Sequence, residues 1–338
     1  MAAHRLRSLT VTALRATVGI TLAAFLIYFV LSRNDVDFAA ELRRCILPLL
    51  AIPFGAYFLV IGTAAYRWHL LLKVQGIDLP AREVISLTMI GIFFSLAIPG
   101  TVSGDLVKMA FLTPHVRGRM GEAMLTIMLD RIFGIFGLFI VALLSVLLSL
   151  RFLLDASATI QLATVIVASG SIAGMMAILA VRFRERLEGL PGVRHAITAG
   201  ARHLPARITN VVGRLSTALN LYRRKSGVVA VAVLLSVGTH SVFAASVFVI
   251  GKSFREETVA LPQYFLATLV ANTIASIPLT PAGLGSRDFV LSAFLDAAGA
   301  DAAKANIIPV MLSIVIASVS LTGGFFFITY KFRRPEVV

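Results

Sequence analysis

From Met124 to Leu150 the chain runs for 27 residues with only two charged side chains, the adjacent pair Asp130 and Arg131. As a helix that stretch is about 40 Å long, more than the about 30 Å of hydrocarbon in a bilayer. Ile46–Tyr66, Ile160–Val181, Val228–Ile250 and Ile307–Tyr330 are comparable, and Ala16–Leu31 is slightly shorter. Such runs restrict the chain to helices buried in lipid, because a helix satisfies all its backbone hydrogen bonds internally. Composition agrees: 58% of residues are hydrophobic and 14% charged, against about 45–50% and about 25% in soluble domains. A water-soluble globular protein is excluded. The expected class is an all-α polytopic membrane protein with six full transmembrane helices. Arg5 and Arg7 precede the first run, but no small-x-small cleavage site follows it, so it reads as a retained anchor. The single cysteine, Cys45, excludes an internal disulfide or a Cys-based metal cluster.

Two further apolar stretches are too short to cross and end in Gly/Pro-rich sequence. Ile85–Pro99 leads into I-P-G-T-V-S-G-D (Ile98–Asp105), and Tyr264–Ile277 into I-P-L-T-P-A-G-L-G-S-R-D (Ile277–Asp288). A second short apolar piece follows each, Leu106–Thr113 and Phe289–Ala300. A short helix, a break and another short helix is the pattern of a re-entrant hairpin, which survives at membrane depth when it lines a cavity or is buried in protein. The chain thus divides into a first half, 1–181, with a hairpin at 85–113; a basic segment, 182–226; and a second half, 227–338, with a hairpin at 264–300.

The net charge of +14 is a record of topology. If both hairpins return to the face they enter from, one face holds 22 Lys/Arg and the other eight, with Arg131 just inside a helix. By the positive-inside rule the richer face is cytoplasmic. Both termini then lie in the cytoplasm, hairpin one enters from there and hairpin two from outside. Broken segments in corresponding places, entering from opposite faces, predict an inverted repeat around a mid-membrane site. In the basic segment, Ile208, Val211, Val212, Leu215, Leu219 and Tyr222 fall at helical spacing. That amphipathic helix suits either anionic lipid head groups or packing on its own bundle. No aromatic residues interleave with its charges, so nucleic acid is not an expected partner.

Ionisable residues at membrane depth cost about 2.5–3.5 kcal/mol each and are candidates for function. Asp130 and Arg131 stand first. Neighbours in a helix do not face each other, so they are expected to have different partners, either another helix or, for Arg131, a phosphate in a cavity. At the hairpin tips, Ser103-Gly104-Asp105 and Ser286-Arg287-Asp288 open the second short helices. There the serines suit an N-cap and the aspartates the positive helix end. Alternatively the tips present backbone N–H groups to an anion, with Lys108 and Arg287 adding charge and the aspartates fixing those bases or taking up protons. Gly100, Gly104, Gly283 and Gly285 would permit close approach, and Pro99, Pro278 and Pro281 would stop the entering helices. Asn272, Thr273 and Thr280 could donate hydrogen bonds or pack helices. His240 reads as a satisfied core histidine, and Arg67-Trp68 as an anchor at the membrane interface. No metal or cofactor is expected.

R-W-x-x-L-L (Arg67–Leu72), F-x-x-x-x-P-G-x-x-x-G-D-x-x-K (Phe94–Lys108), D-R-x-x-G (Asp130–Gly134) and P-x-T-P-A-G-L-G-x-R-D (Pro278–Asp288) together resemble the lysylphosphatidylglycerol synthase transmembrane-region family, also called flippase-like. Relative to its usual motifs, Ser103 and Ala282 replace glycines and Asp288 replaces Glu. The resemblance implies two opposed hairpins around a lipid-accessible cavity, with Lys108, Arg131, Arg287, Asp105, Asp130 and Asp288 on the head group of a lipid. It implies movement of a polar or phosphate-bearing lipid between leaflets of a bacterial inner membrane, without catalysis. Because the sequence ends soon after its last apolar run, an aminoacyl-transferase domain is not expected. A homo-oligomer is compatible with this reading. The alternatives are a scaffold for a lipid or glycan pathway acting through the basic segment, and a glycosyl- or phosphotransferase using Asp35 and Asp37.

Overall fold

The computed structural model describes residues 38–97, 103–116, 118–182, 222, 225–276 and 285–330. Among these, eleven α-helices account for nearly all the chain: α1 (Phe38–Arg44), α2 (Leu47–Val74), α3 (Ala81–Ala97), α4 (Ser103–Leu112), α5 (Met120–Leu148), α6 (Leu150–Asp155), α7 (Ala158–Arg182), α8 (Ser226–Ser253), α9 (Leu261–Ala275), α10 (Ser286–Ala297) and α11 (Ala302–Thr329). Five of them, α2, α5, α7, α8 and α11, are long and apolar enough to cross a membrane. These correspond to five of the six expected spans. The sixth, Ala16–Leu31, lies outside the described residues, as do Asp35, Asp37, Pro99, Gly100, Pro278, Thr280, Pro281, Ala282, Gly283 and all of the basic segment's helix except Tyr222.

The four short apolar pieces are helices that pack in pairs, α3 on α4 and α9 on α10. Within the first pair the backbones touch. A Cβ on Gly104 would collide with the Gly91 carbonyl oxygen and with Ser95 Oγ, so only glycine lets α4 lie along α3. Small residues bring other helices together in the same way. Gly137 of α5 fits against Ser236 of α8, and Gly323 of α11 against Met89 of α3.

The two halves interlock. α2 packs along α8, α5 packs on α8 and α9, and α11 packs on α3 and α10. α11 is the interior helix, with 61% of its apolar window buried against 17–33% in the other four long helices. By contrast α7, which packs mainly on α5, exposes Leu162, Val165 and Ile166, a face suited to lipid. Tyr222 is fully buried and donates its hydroxyl to Leu71 O at 2.8 Å. Of the two expected settings for the amphipathic positions, this residue adopts packing against the bundle.

Candidate functional site

The apolar run that starts α2 ends at Tyr66, yet the helix continues through two more turns to Val74. Arg67 and Trp68 therefore stay inside the bundle, 6% and 0% exposed, and do not anchor an interface. Local sequence points the other way because a cation beside an indole looks the same at a surface and in a core. What holds Arg67 is remote. Its Nε donates to Asp130 Oδ1 at 2.7 Å, its Nη2 to Oδ2 at 3.2 Å and its Nη1 to Ser236 Oγ at 2.7 Å. This two-pronged pair ties α2, α5 and α8 together, and forked geometry of this kind offsets much of the cost of removing two charges from water.

The next residue on α5 points elsewhere, as the helical rotation requires. Arg131 Nε donates to Asp105 Oδ2 at 2.6 Å, joining α5 to the first turn of α4. This second pair is more open, with the Arg131 side chain 48% exposed. Between the two pairs lies Lys108, one turn after Asp105 on α4. It is 7% exposed, and its Nζ stands 3.4 Å from the centre of the Trp68 ring. The indole N–H is itself fixed by donation to Thr126 Oγ1 at 3.1 Å. Among the described residues Lys108 has no carboxylate within ion-pair distance.

Arg67, Asp105, Lys108, Asp130 and Arg131 line one cavity of about 310 Å³. Its walls also carry Thr88, Gly91 and Ser95 from α3, Gly134 from α5, Thr239 and His240 from α8, and Ser276 from the end of α9. His240 has the satisfied setting expected of a core histidine, with Nε2 3.1 Å from Gly134 O, and it also faces the cavity. Three strong bases and two carboxylates among the described lining residues leave a formal charge of +1 before His240 is considered. Among the described residues no group of three or more His, Cys, Asp or Glu is placed to hold a metal ion.

The structure brings together four of the six candidate charged residues: Asp105, Lys108, Asp130 and Arg131. The other two form a separate buried cluster and do not line this cavity. Arg287, 4% exposed, donates from Nη2 to Asp288 Oδ1 at 3.1 Å and to Ser313 Oγ at 2.6 Å. The Ser313 hydroxyl lies 2.8–2.9 Å from both oxygens of Asp288, linking α10 to α11. At this tip the cap position belongs to Gly285, not Ser286. Gly285 has φ 84°, a left-handed conformation that glycine accepts readily, and its N–H donates to Asp288 Oδ2 at 3.2 Å. Gly104, expected to admit an anion, instead admits the backbone of α3. Arg67, Trp68 and Ser236 belong to the site although sequence reasoning missed them. The signal for Arg67 is its place in the helix, about two turns before the end at Val74 and followed by Trp68, Leu70, Leu71 and Leu72.

The family described as Lysylphosphatidylglycerol synthase TM region matches residues 16–324, nearly the whole chain. Among curated proteins none matches it.

Proposed function

Because the chain belongs to the lysylphosphatidylglycerol synthase TM region family, we propose that it binds the phosphate-bearing head group of a membrane lipid in this cavity and moves that lipid between leaflets. The observation that carries the reading is Lys108. An ammonium 7% exposed, held against an aromatic face while the other charges of the cavity are matched in pairs, is a costly arrangement unless an anion completes it. One uncompensated positive charge suits one phosphodiester. Arg131, more open and adjacent, would steer the phosphate inward, and Asp105 would hold that guanidinium in place.

An inverted repeat underlies the proposed movement. What supports it is a correspondence of register. Asp105 is the third residue of α4 and meets Arg131, the twelfth residue of α5. Asp288 is the third residue of α10 and meets Ser313, the twelfth residue of α11. Thr63 of α2 and Thr239 of α8, each preceded by a glycine, also place their hydroxyls 3.0 Å apart. In this reading the Arg287–Asp288–Ser313 cluster takes the place of the first-half pair when the cavity opens to the other face. The proposal is of transport without catalysis, in a bacterial cytoplasmic membrane with both ends inside. With the buried Arg67, Lys108 and Arg287 left out, a bias of 20 to seven basic residues supports that orientation.

The test is reconstitution into liposomes carrying fluorescent phosphatidylglycerol, with leaflet exposure read by reduction from outside. Exchange faster than in protein-free liposomes, and slowed by Lys108→Met, is the expected result. A rate equal to that of protein-free liposomes overturns the proposal.

A further inference from the structure

Beside the charged cavity, and touching it, α2 and α8 form a groove of about 270 Å³. Its walls are Leu59 and Val60 on one helix and Val231, Leu234, Leu235 and Val242 on the other, with Gly238 between them. Leu59 and Leu234 are 54% and 68% exposed, on helices of membrane-spanning length. Two threonines form the border. Thr239 lines both spaces, while Thr63 of the groove is followed by Ala64 of the cavity and Thr239 by His240 of the cavity. Both lie near the middle of their 28-residue helices.

The border threonines do not make the groove polar. Thr63 Oγ1 lies 2.9 Å from Val60 O, Thr239 Oγ1 lies 2.7 Å from Leu235 O, and the hydroxyls are 3.0 Å from each other. Their two hydrogens are thus spent on these acceptors. A groove that is apolar throughout, carries exposed leucines and shares Thr239 with the cationic cavity next to it matches the two ends of one amphiphile, with the Thr63–Thr239 contact as the border between them. The exposed face of α7 presents apolar side chains too, but no charged space adjoins it.

We infer that the α2–α8 groove is the acyl-chain subsite of the lipid whose head group enters the cavity, so that the ligand is held at both ends and is not a free water-soluble phosphate. This rests on the head-group reading of the cavity and adds where the tail leaves it.

Gly238 provides the test, because it lines the groove and a Cβ there would meet nothing within 4 Å, so Gly238→Leu places a side chain in that space. The full chain is reconstituted with phosphatidylglycerol bearing a photoactivatable group midway along one acyl chain, and the labelled residues are mapped by mass spectrometry. Leu59, Leu234 and Val242 should be labelled severalfold more than Leu162 and Ile166 of α7, which carry exposed apolar side chains with no charged space beside them. Gly238→Leu should erase that excess. Trp68 is the chain's single tryptophan and lies under Lys108, so its fluorescence reports occupancy of the cavity separately. Gly238→Leu should keep the wild-type response to soluble glycerol phosphate while slowing lipid exchange. Groove labelling no higher than on α7, or wild-type exchange in Gly238→Leu, overturns the acyl-chain subsite and leaves the head-group reading standing. Absence of both the Trp68 response and lipid exchange in the wild type overturns the head-group reading itself.

Discussion

Lys108 Nζ stands 3.4 Å from the centre of the Trp68 ring, an ammonium from a short helix laid on an indole from a long one. A desolvated cation–π contact contributes about 2 kcal/mol, whereas burying an ion costs several. The contact therefore positions the charge without offsetting its burial. Lys108→Met should leave thermal stability in detergent equal or higher, while weakening phosphatidylglycerol binding by about 2 kcal/mol, roughly thirtyfold. Unfolding followed by Trp68 fluorescence, together with the exchange assay, separates the two effects. A large loss of stability would assign Lys108 a structural role instead.

Arg67 and Asp130 should behave as a unit. Removing one charge strands the other inside the bundle, so Arg67→Met and Asp130→Leu should each cost about 3–5 kcal/mol. The double variant should recover most of that loss, since the two apolar side chains replace a matched pair. Unfolding in detergent for the four members of the cycle measures the coupling. Additive losses would mean that the pair contributes little to holding α2, α5 and α8 together.

The Arg131–Asp105 pair, with Arg131 half exposed, calls for the opposite pattern. Exposed pairs contribute about 0–1 kcal/mol, so Arg131→Ala should change stability by no more than that. Lipid exchange should nevertheless fall, and the wild-type rate should drop with added salt more steeply than the variant's, because steering by an accessible charge is screened. Equal salt dependence in the two proteins would remove Arg131 from the entry path.

Gly104 should tolerate no side chain. Gly104→Ala drives a methyl group into the Gly91 carbonyl and Ser95, forcing α4 off α3 and displacing both Asp105 and Lys108. A loss of about 1–3 kcal/mol is the ordinary scale for overpacking. Ser95→Ala should not rescue it, since the carbonyl remains. Gly170→Ala on α7, where a Cβ meets nothing within 4 Å, should be neutral or stabilise by up to about 1 kcal/mol. Thermal unfolding of the three variants decides the matter.

Sequence periodicity located the elements well where a single physical demand acts along the chain. Apolar runs of membrane length became α2, α5, α7, α8 and α11, and the short apolar pieces became α3, α4, α9 and α10. The different partners of Asp130 and Arg131 were also legible, because adjacent side chains on a helix point about 100° apart. The ends of helices were harder. Arg67 and Trp68 carry the residue types of an interface, and burial alone distinguishes the two settings.

The sequence by itself determined that this chain forms apolar helices long enough to cross a membrane, where its short helices fall, and that Asp130 and Arg131 lie within one long helix. Each follows from local chemistry, since hydrocarbon demands long apolar helices and penalises every stray charge. Only the tertiary structure decided that Arg67, a residue 63 positions from Asp130, completes the site, and that Arg287 and Asp288 stand apart from it. The physical reason is that an ion pair depends on where two helix faces meet. That meeting is set by small residues such as Gly104, Gly137 and Gly323, whose role is visible only once the neighbouring helix is in place.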